Sequence, residues 1–254
     1  MYMATISDMS HAMNVGNLES LIAFCTGSGI RYNPSTLNLT VGALLLTEIE
    51  ANKILGEVKV AKTNFNHEVE VRRLHFTEFK ELVKRAINEL LKSDASDLAI
   101  SAVIEIQKKI DGINENSVKK TEIPAGNIGT SPIMIKKILL GQLSFMNQLG
   151  NFEKLLKVLK QEKSYDPNQK ILKTDQLQTR LTKLTHYNTN VINSEILLDN
   201  LKITRSNFFY APETGMVTIA FKVKKYIKET FGKSSIQFRQ VNQLKFINIK
   251  IYNM

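Results

Sequence analysis

The chain has 254 residues, 43% apolar and 23% charged, the balance of a folded globular protein rather than a disordered one. It carries 34 Lys+Arg against 24 Asp+Glu, a formal charge of +10, and a single cysteine, Cys25. An intrachain disulfide is therefore excluded and an oxidising compartment is not implied, while no run of about 18 apolar residues is present to span a bilayer.

Residues 1–13 mix Met, Ser, His and Asp without a period, lack the basic and apolar regions of a secretory signal, and read as a flexible leader of a cytoplasmic protein. A stretch beginning at Asn14 and ending near Ile110 then returns, diverged but in order, from Gln148 to about Phe246. Val15-Gly16-Asn17-Leu18-Glu19 aligns with Leu149-Gly150-Asn151-Phe152-Glu153 at an offset of 134. Tyr32-Asn33-Pro34 aligns with Tyr165-Asp166-Pro167, Leu44 with Leu177, Val58 with Val191 and Arg72 with Arg205 at an offset of 133. Beyond an insert at Ala211-Pro212-Glu213-Thr214-Gly215, Ile87 and Leu91 align with Ile227 and Phe231 at an offset of 140. Agreement in order and spacing over about a hundred residues predicts two tandem helical repeats.

In the first repeat a short helix is expected from Asn17, a residue able to accept from first-turn amides, through Phe24. Thr26-Gly27-Ser28-Gly29 turns the chain. From about residue 40 to 92 the periodicity of Leu44, Ile54, Val58, Phe65, Val69, Phe76, Val83, Ile87 and Leu90 predicts one very long helix or two joined smoothly. A further helix starting near Ser93-Asp94 directs Ala99, Val103, Ile106 and Ile110 inward.

Residues 112–147 read as the linker, rich in Asn, Ser, Lys, Pro and Gly to about residue 131, with the more apolar 133–139 able to form a strand or a short helix. The second repeat opens with a helix from Asn151 to about Lys163 that places Phe152, Leu155, Leu156 and Leu159 on one face. Its long helix runs from about Leu172 to Tyr210, where the insert with Pro212 should break it, because proline lacks an amide hydrogen and clashes with the preceding turn. A helix through Val217, Val223 and Ile227 is expected to end at Gly232, and a last one to start near Ser234-Ser235. Beyond it Ile247, Ile249 and Ile251 alternate with period two, a strand signal. Such a strand can pair with residues 133–139, add to another subunit, or lie as an extended tail on the bundle. The expected fold is all-α, an elongated bundle of two tandem repeats (14–111 and 148–247), with room for a small β element from 133–139 and 246–252 and a tail at 248–254.

No residue set suggests catalysis. The four histidines lack metal-ligand spacing, Gly27-Ser28-Gly29 lacks the rest of a dinucleotide fingerprint, and the carboxylates of the first long helix alternate with Lys and Arg as a solvated face does. Neither cofactor, metal nor small-molecule substrate is inferred. Tyr32, Pro34 and Arg72, with their aligned partners Tyr165, Pro167 and Arg205, are candidate structural residues common to both repeats. The arginines are expected to join the repeats or to bond loop carbonyls.

Charge is unequal along the sequence: residues 1–110 hold 12 Lys+Arg and 13 Asp+Glu, and residues 111–254 hold 22 and 11. Lys222, Lys224, Lys225, Lys228, Lys233 and Arg239 form the densest basic group and are candidate anion-binding residues, with a solvated lysine face as the plain alternative.

Gln142-Leu143-Ser144-Phe145 leading into Asn151-Phe152-Glu153-Lys154-Leu155-Leu156, then Thr214-Gly215-Met216-Val217, Val223-Lys224-Lys225-Tyr226-Ile227-Lys228 and Phe231-Gly232-Lys233-Ser234-Ser235, resemble an uncharacterised group of bacterial all-helical proteins with a duplicated bundle. That resemblance covers the second repeat best; it implies a helical fold and supplies no catalytic residue. The expected role is a non-enzymatic structural or interaction protein, self-assembling through helical faces and the C-terminal strand, with itself or another protein as partner. The alternatives are sequence-independent nucleic-acid binding through the second repeat and association with a membrane surface through residues 133–140.

Overall fold

A computed structural model describes residues 6–111 and 132–248, with side chains at 9–111 and 144–248. Every regular element among these residues is helical. The first, α1, runs from Ile6 to Gly27, so the helix expected at Asn17 starts eleven residues earlier and residues 6–13 are no flexible leader. The reason is tertiary: Ser10, His11 and Asn14 are buried, and the His11 ring packs on Phe209 and Tyr210 at 5.3 and 5.6 Å. Packing against distant aromatics orders a turn that local composition leaves undecided.

After α1 the chain passes through two 3-10 turns, Gly29–Arg31 and Leu37–Leu39, the first entered at Gly29 with φ of 54°, a left-handed value that suits glycine. Two helices follow, α2 (Val41–Thr77) and α3 (Phe79–Leu91), interrupted only at Glu78, whose φ and ψ of −88° and −3° barely leave the helical region. The alternative of two smoothly joined helices is the one observed. Next, α4 (Asp97–Asp111) buries Ala99, Val103, Ile106 and Ile110 as its spacing predicts.

Helix α5 spans Pro132–Gln161, with proline at the first position, where its missing amide hydrogen costs nothing. Residues 133–139 are therefore helical and not a strand, and the linker expected to reach residue 147 stops before Pro132. Short apolar runs do not distinguish the two periods; continuity with the amphipathic face of Phe152, Leu155 and Leu159 decides for the helix. After a 3-10 turn at Lys170–Leu172, α6 covers Thr174–Tyr210 and ends at the proline-containing insert as expected. Helix α7 (Met216–Phe231) begins after Gly215 and stops at Gly232, whose φ is 90°. Helix α8 (Ile236–Asn242) is capped by the Ser235 hydroxyl, which accepts from the Phe238 amide.

The chain divides into two compact units, residues 1–63 with 196–254 and residues 64–195. In the first, α1, the start of α2, the end of α6, α7 and α8 enclose a core that includes Leu18, Leu21, Leu44, Phe209, Val217, Val223 and Val241. In the second, α3, α4 and α5 with the end of α2 and the start of α6 enclose Phe79, Ile87, Val103, Phe152, Leu155 and Leu177. Each fully buried Leu or Phe contributes about 1.5–3 kcal/mol relative to exposure.

The basic excess is redistributed by this division. Residues 1–63 and 196–254 together hold 14 Lys+Arg and 8 Asp+Glu, and residues 64–195 hold 20 and 16. Net charges of +6 and +4 replace the −1 and +11 read along the sequence.

Of the segment 246–252, residues 246–248 are described, and there the alternative of an extended tail lying on the bundle is the one observed. Residues 244–248 have no ladder partner and no regular structure. Instead, the Ile247 amide donates to Asn14 Oδ1 at 2.8 Å, Asn14 Nδ2 donates to the Ile247 carbonyl at 2.8 Å, and Asn17 Nδ2 donates to the Lys245 carbonyl at 2.8 Å. Asparagine amides on α1 thus satisfy backbone groups that a strand would otherwise have to pair. Ile249 and Ile251 lie outside the described residues.

Candidate functional site

The Tyr-x-Pro segments occupy equivalent corners of the two units. Tyr32 Oη donates to the Leu39 carbonyl at 2.5 Å and Tyr165 Oη to the Leu172 carbonyl at 2.7 Å. Each hydroxyl satisfies the last carbonyl of the 3-10 turn that introduces a long helix, and Pro34 and Pro167 are buried beside them. Burial pushes the Tyr165 phenol up to about 12, and burial, with the Cys25 thiol nearby, pushes the Tyr32 phenol far above its ordinary value. Neither tyrosine is available as an acid or base near neutral pH.

Arg72 and Arg205 are both buried, at 7% and 8% exposure. In the second unit the Arg72 guanidinium lies 4.2 Å over the Phe145 ring and donates through Nη1 to Asn188 Oδ1 at 2.9 Å. Burial lowers the Arg72 pKa, partly offset by the carboxylate of Glu195. Between the same two helices, Arg180 Nη2 donates to the His75 carbonyl at 2.8 Å, and His75 stacks on Tyr187 with ring centres 4.0 Å apart. These groups join α2 to α6. In the first unit the positive charge of Arg205 acts on the buried Tyr210 phenol, whose pKa desolvation raises to about 12.

The candidate anion-binding residues all fall on α7, α8 and their junction, but they do not act as one basic face. Lys222 Nζ reaches the Glu213 carbonyl at 3.0 Å and its carboxylate at 3.4 Å. Lys224 Nζ donates to the carbonyls of Asn242 and Leu244 at 3.3 and 2.9 Å, closing the end of α8, and desolvation lowers its pKa. Lys225 pairs with Glu229 at 3.9 Å and Lys228 lies 6.0 Å over the Phe238 ring. Lys233 and Arg239 are exposed.

Several structural residues escaped the sequence reading. Glu162 accepts from both the amide and hydroxyl of Ser96, at 3.2 and 2.9 Å, so its carboxylate sits at the start of α4. Asn14 and Asn17 bind the C-terminal segment; their polar side chains on an otherwise apolar face were the available signal. Cys25, a small buried residue as its apolar sequence neighbours lead one to expect, lies in the first core, and desolvation raises its thiol to about 11.

Among the described residues no group of three His, Cys, Asp or Glu could hold a metal ion, and no helix is long and apolar enough to cross a membrane. One surface hollow is lined by Lys109, Asn147, Asn151 and Lys154 and another by Phe24, Ser28, Arg31 and Phe231; neither places a nucleophile beside a base.

An exposed apolar stripe lies on α2 within the first unit. Leu46, Ile49 and Val60 are 69%, 63% and 70% exposed, and Leu45 is also exposed. Leu46, Ile49, Lys53, Gly56 and Val60 recur at spacings of three and four, the seam of a helix that packs on another helix. At the aligned positions of α6 stand Thr179, Thr182, His186, Thr189 and Asn193, all exposed and polar. The aligned part of α6 is thus polar where α2 is apolar, although the same stripe of α6 continues into Ile196 and Ile203, 55% and 42% exposed.

The chain matches no family model, no curated protein and no solved structure.

Proposed function

We propose that the protein is a non-enzymatic interaction protein that docks a partner helix, in the first instance that of a second copy, along the outer face of α2. The observation that carries this reading is the exposed seam of Leu46, Ile49 and Val60 on α2 within the first unit. Large apolar side chains grouped on an exposed helix face mark interaction surfaces. Assembly through the C-terminal segment loses support at Ile247, because its amide and carbonyl are already bonded by Asn14.

Sedimentation velocity over a concentration series tests the proposal. Self-association is expected for the natural chain and should be lost in Leu46→Glu/Ile49→Glu, while Thr182→Glu leaves it unchanged. A monomer at every concentration for the natural chain rejects the self-docking reading.

A second reading, sequence-independent binding to nucleic acid, draws on Lys225, Lys228, Lys233 and Arg239, all exposed on α7 and α8 or between them. Phosphate contacts would make such binding steeply salt-dependent. Random duplex that fails to bind even at low salt removes it. The membrane-surface alternative rests on side chains of residues 133–140, which lie outside the described residues.

A further inference from the structure

We propose that the two aligned stretches are obligate binding partners of one another: the chain is an intertwined dimer joined into one polypeptide, and each compact unit is completed by half of each stretch. The first core is drawn from residues 15–51 and 209–246, the front of the first stretch and the back of the second. The second core is drawn from residues 76–110 and 149–184, the back of the first and the front of the second. The unit boundaries follow Thr63 and Glu195, and at the offset of 133 Thr63 aligns with Ile196. Both long helices therefore pass from one unit to the other at the same place in the alignment to within one residue.

The bonds that hold the units repeat this exchange. In the first unit the turn Leu37–Leu39 packs on α7, Tyr32 meets Tyr226 edge-on at 5.4 Å, and Asn14 and Asn17 bind the segment after α8. In the second, the equivalent turn Lys170–Leu172 packs on α3, Phe152 of α5 meets Phe79 edge-on at 5.1 Å, and Glu162 binds Ser96 at the start of α4. In every case the front of one stretch touches the back of the other.

Neither stretch has a core of its own. Alone, the first would expose Val15, Leu18, Leu21 and Ile22 on α1, each 6% exposed or less in the folded chain. A surface of that kind requires a partner. The partner is set by the fold: the face of α1 and the turn after Tyr32 accept the α7–α8 back half of the same chain. This assignment does not depend on the docking face of α2.

Native-state amide exchange on the full chain separates the two arrangements. Val223 of α7 and Val103 of α4 are both fully buried. Val223→Ala is expected to lower protection in α1 at least tenfold more than in α5, and Val103→Ala to do the reverse. If Val223→Ala instead deprotects α5 and spares α1, each stretch packs on itself and the proposal fails. Should either variant unfold globally, a protease site placed between the stretches decides the matter. The cleaved halves are expected to remain one particle of full mass in native buffer, whereas their elution as separate folded species overturns the proposal.

Discussion

Tyr32 and Tyr165, 133 positions apart, make the same bond: each donates its hydroxyl to the carbonyl seven residues ahead, at 2.5 and 2.7 Å. The buried carbonyls of Leu39 and Leu172 depend on these donors, and the corner that launches each long helix depends on the carbonyls being satisfied.

Replacing either tyrosine with phenylalanine keeps the ring and leaves a buried carbonyl unpaired. Tyr32→Phe and Tyr165→Phe should each lower stability by about 1–3 kcal/mol in chemical denaturation. Because the two sites lie in different units, their effects should add within about 0.5 kcal/mol. A change near zero in both would show that the hydroxyls do not hold the corners.

Arg72 is held by shape as much as by charge, since its flat guanidinium covers the Phe145 ring while bonding Asn188. Lysine retains the charge but offers neither a planar face nor a fork of donors. Arg72→Lys is expected to destabilise by about 2 kcal/mol or more, and Arg72→Met paired with Asn188→Leu to recover part of that loss by removing both buried polar partners. Urea midpoints of the three chains provide the check; an Arg72→Lys protein as stable as the parent contradicts the account.

Glycines separate into two kinds. A Cβ at Gly215 would lie 2.5 Å from the Ala211 nitrogen and 2.6 Å from its oxygen, both backbone atoms, whereas Cβ atoms at Gly42 and Gly56 meet open space. Gly215→Ala should cost about 2–3 kcal/mol as the junction between α6 and α7 is forced apart. Gly56→Ala, within a helix, should stabilise by about 0.5–1 kcal/mol. Thermal unfolding of both variants gives the signs directly.

Alkaline pH should expose the buried acids. The Cys25 thiol is raised to about 11, and the Tyr165 and Tyr210 phenols to about 12, chiefly by desolvation. In each case the neutral form is favoured by the fold, so its contribution is complete below the unfolded-state pKa and is lost as pH rises through the folded one. Stability is expected to hold to about pH 9, the ordinary thiol value, and to fall between there and about 12. At pH 8 Cys25 should resist a thiol reagent until denaturant is added; rapid labelling of the folded protein would contradict its burial.

Asn14 carries two of the bonds that hold the C-terminal segment. Asn14→Ala should speed amide exchange at Ile247 by at least tenfold while α3, in the other unit, is unaffected. Unchanged exchange would mean that Phe246, buried near Phe221, holds the segment alone.

Much of the local structure is written in short-range chemistry. The inward faces of α4 and α5, the break at Pro212, the stop at Gly232 and the start of α8 at Ser235 all follow from spacing, proline geometry or capping, because those effects act within a few residues. The early start of α1 does not, since residues 6–13 acquire order from Phe209 and Tyr210, nearly two hundred positions away. Around Ile247 the extended tail prevails over the strand for a related reason: alternation describes one face of an extended segment, and the bonding groups that receive it lie on α1.

By itself, then, the sequence determined a predominantly helical chain, most of the places where its helices turn, and the correspondence of Tyr32 with Tyr165. Only the tertiary structure decided which faces meet, so that the basic excess of one stretch is shared between two units and the exposed seam of α2 is left outside. Helical periodicity says that a face will be buried; it carries no address for the partner, because apolar surfaces attract without direction and the pairing is chosen by the packing of the whole.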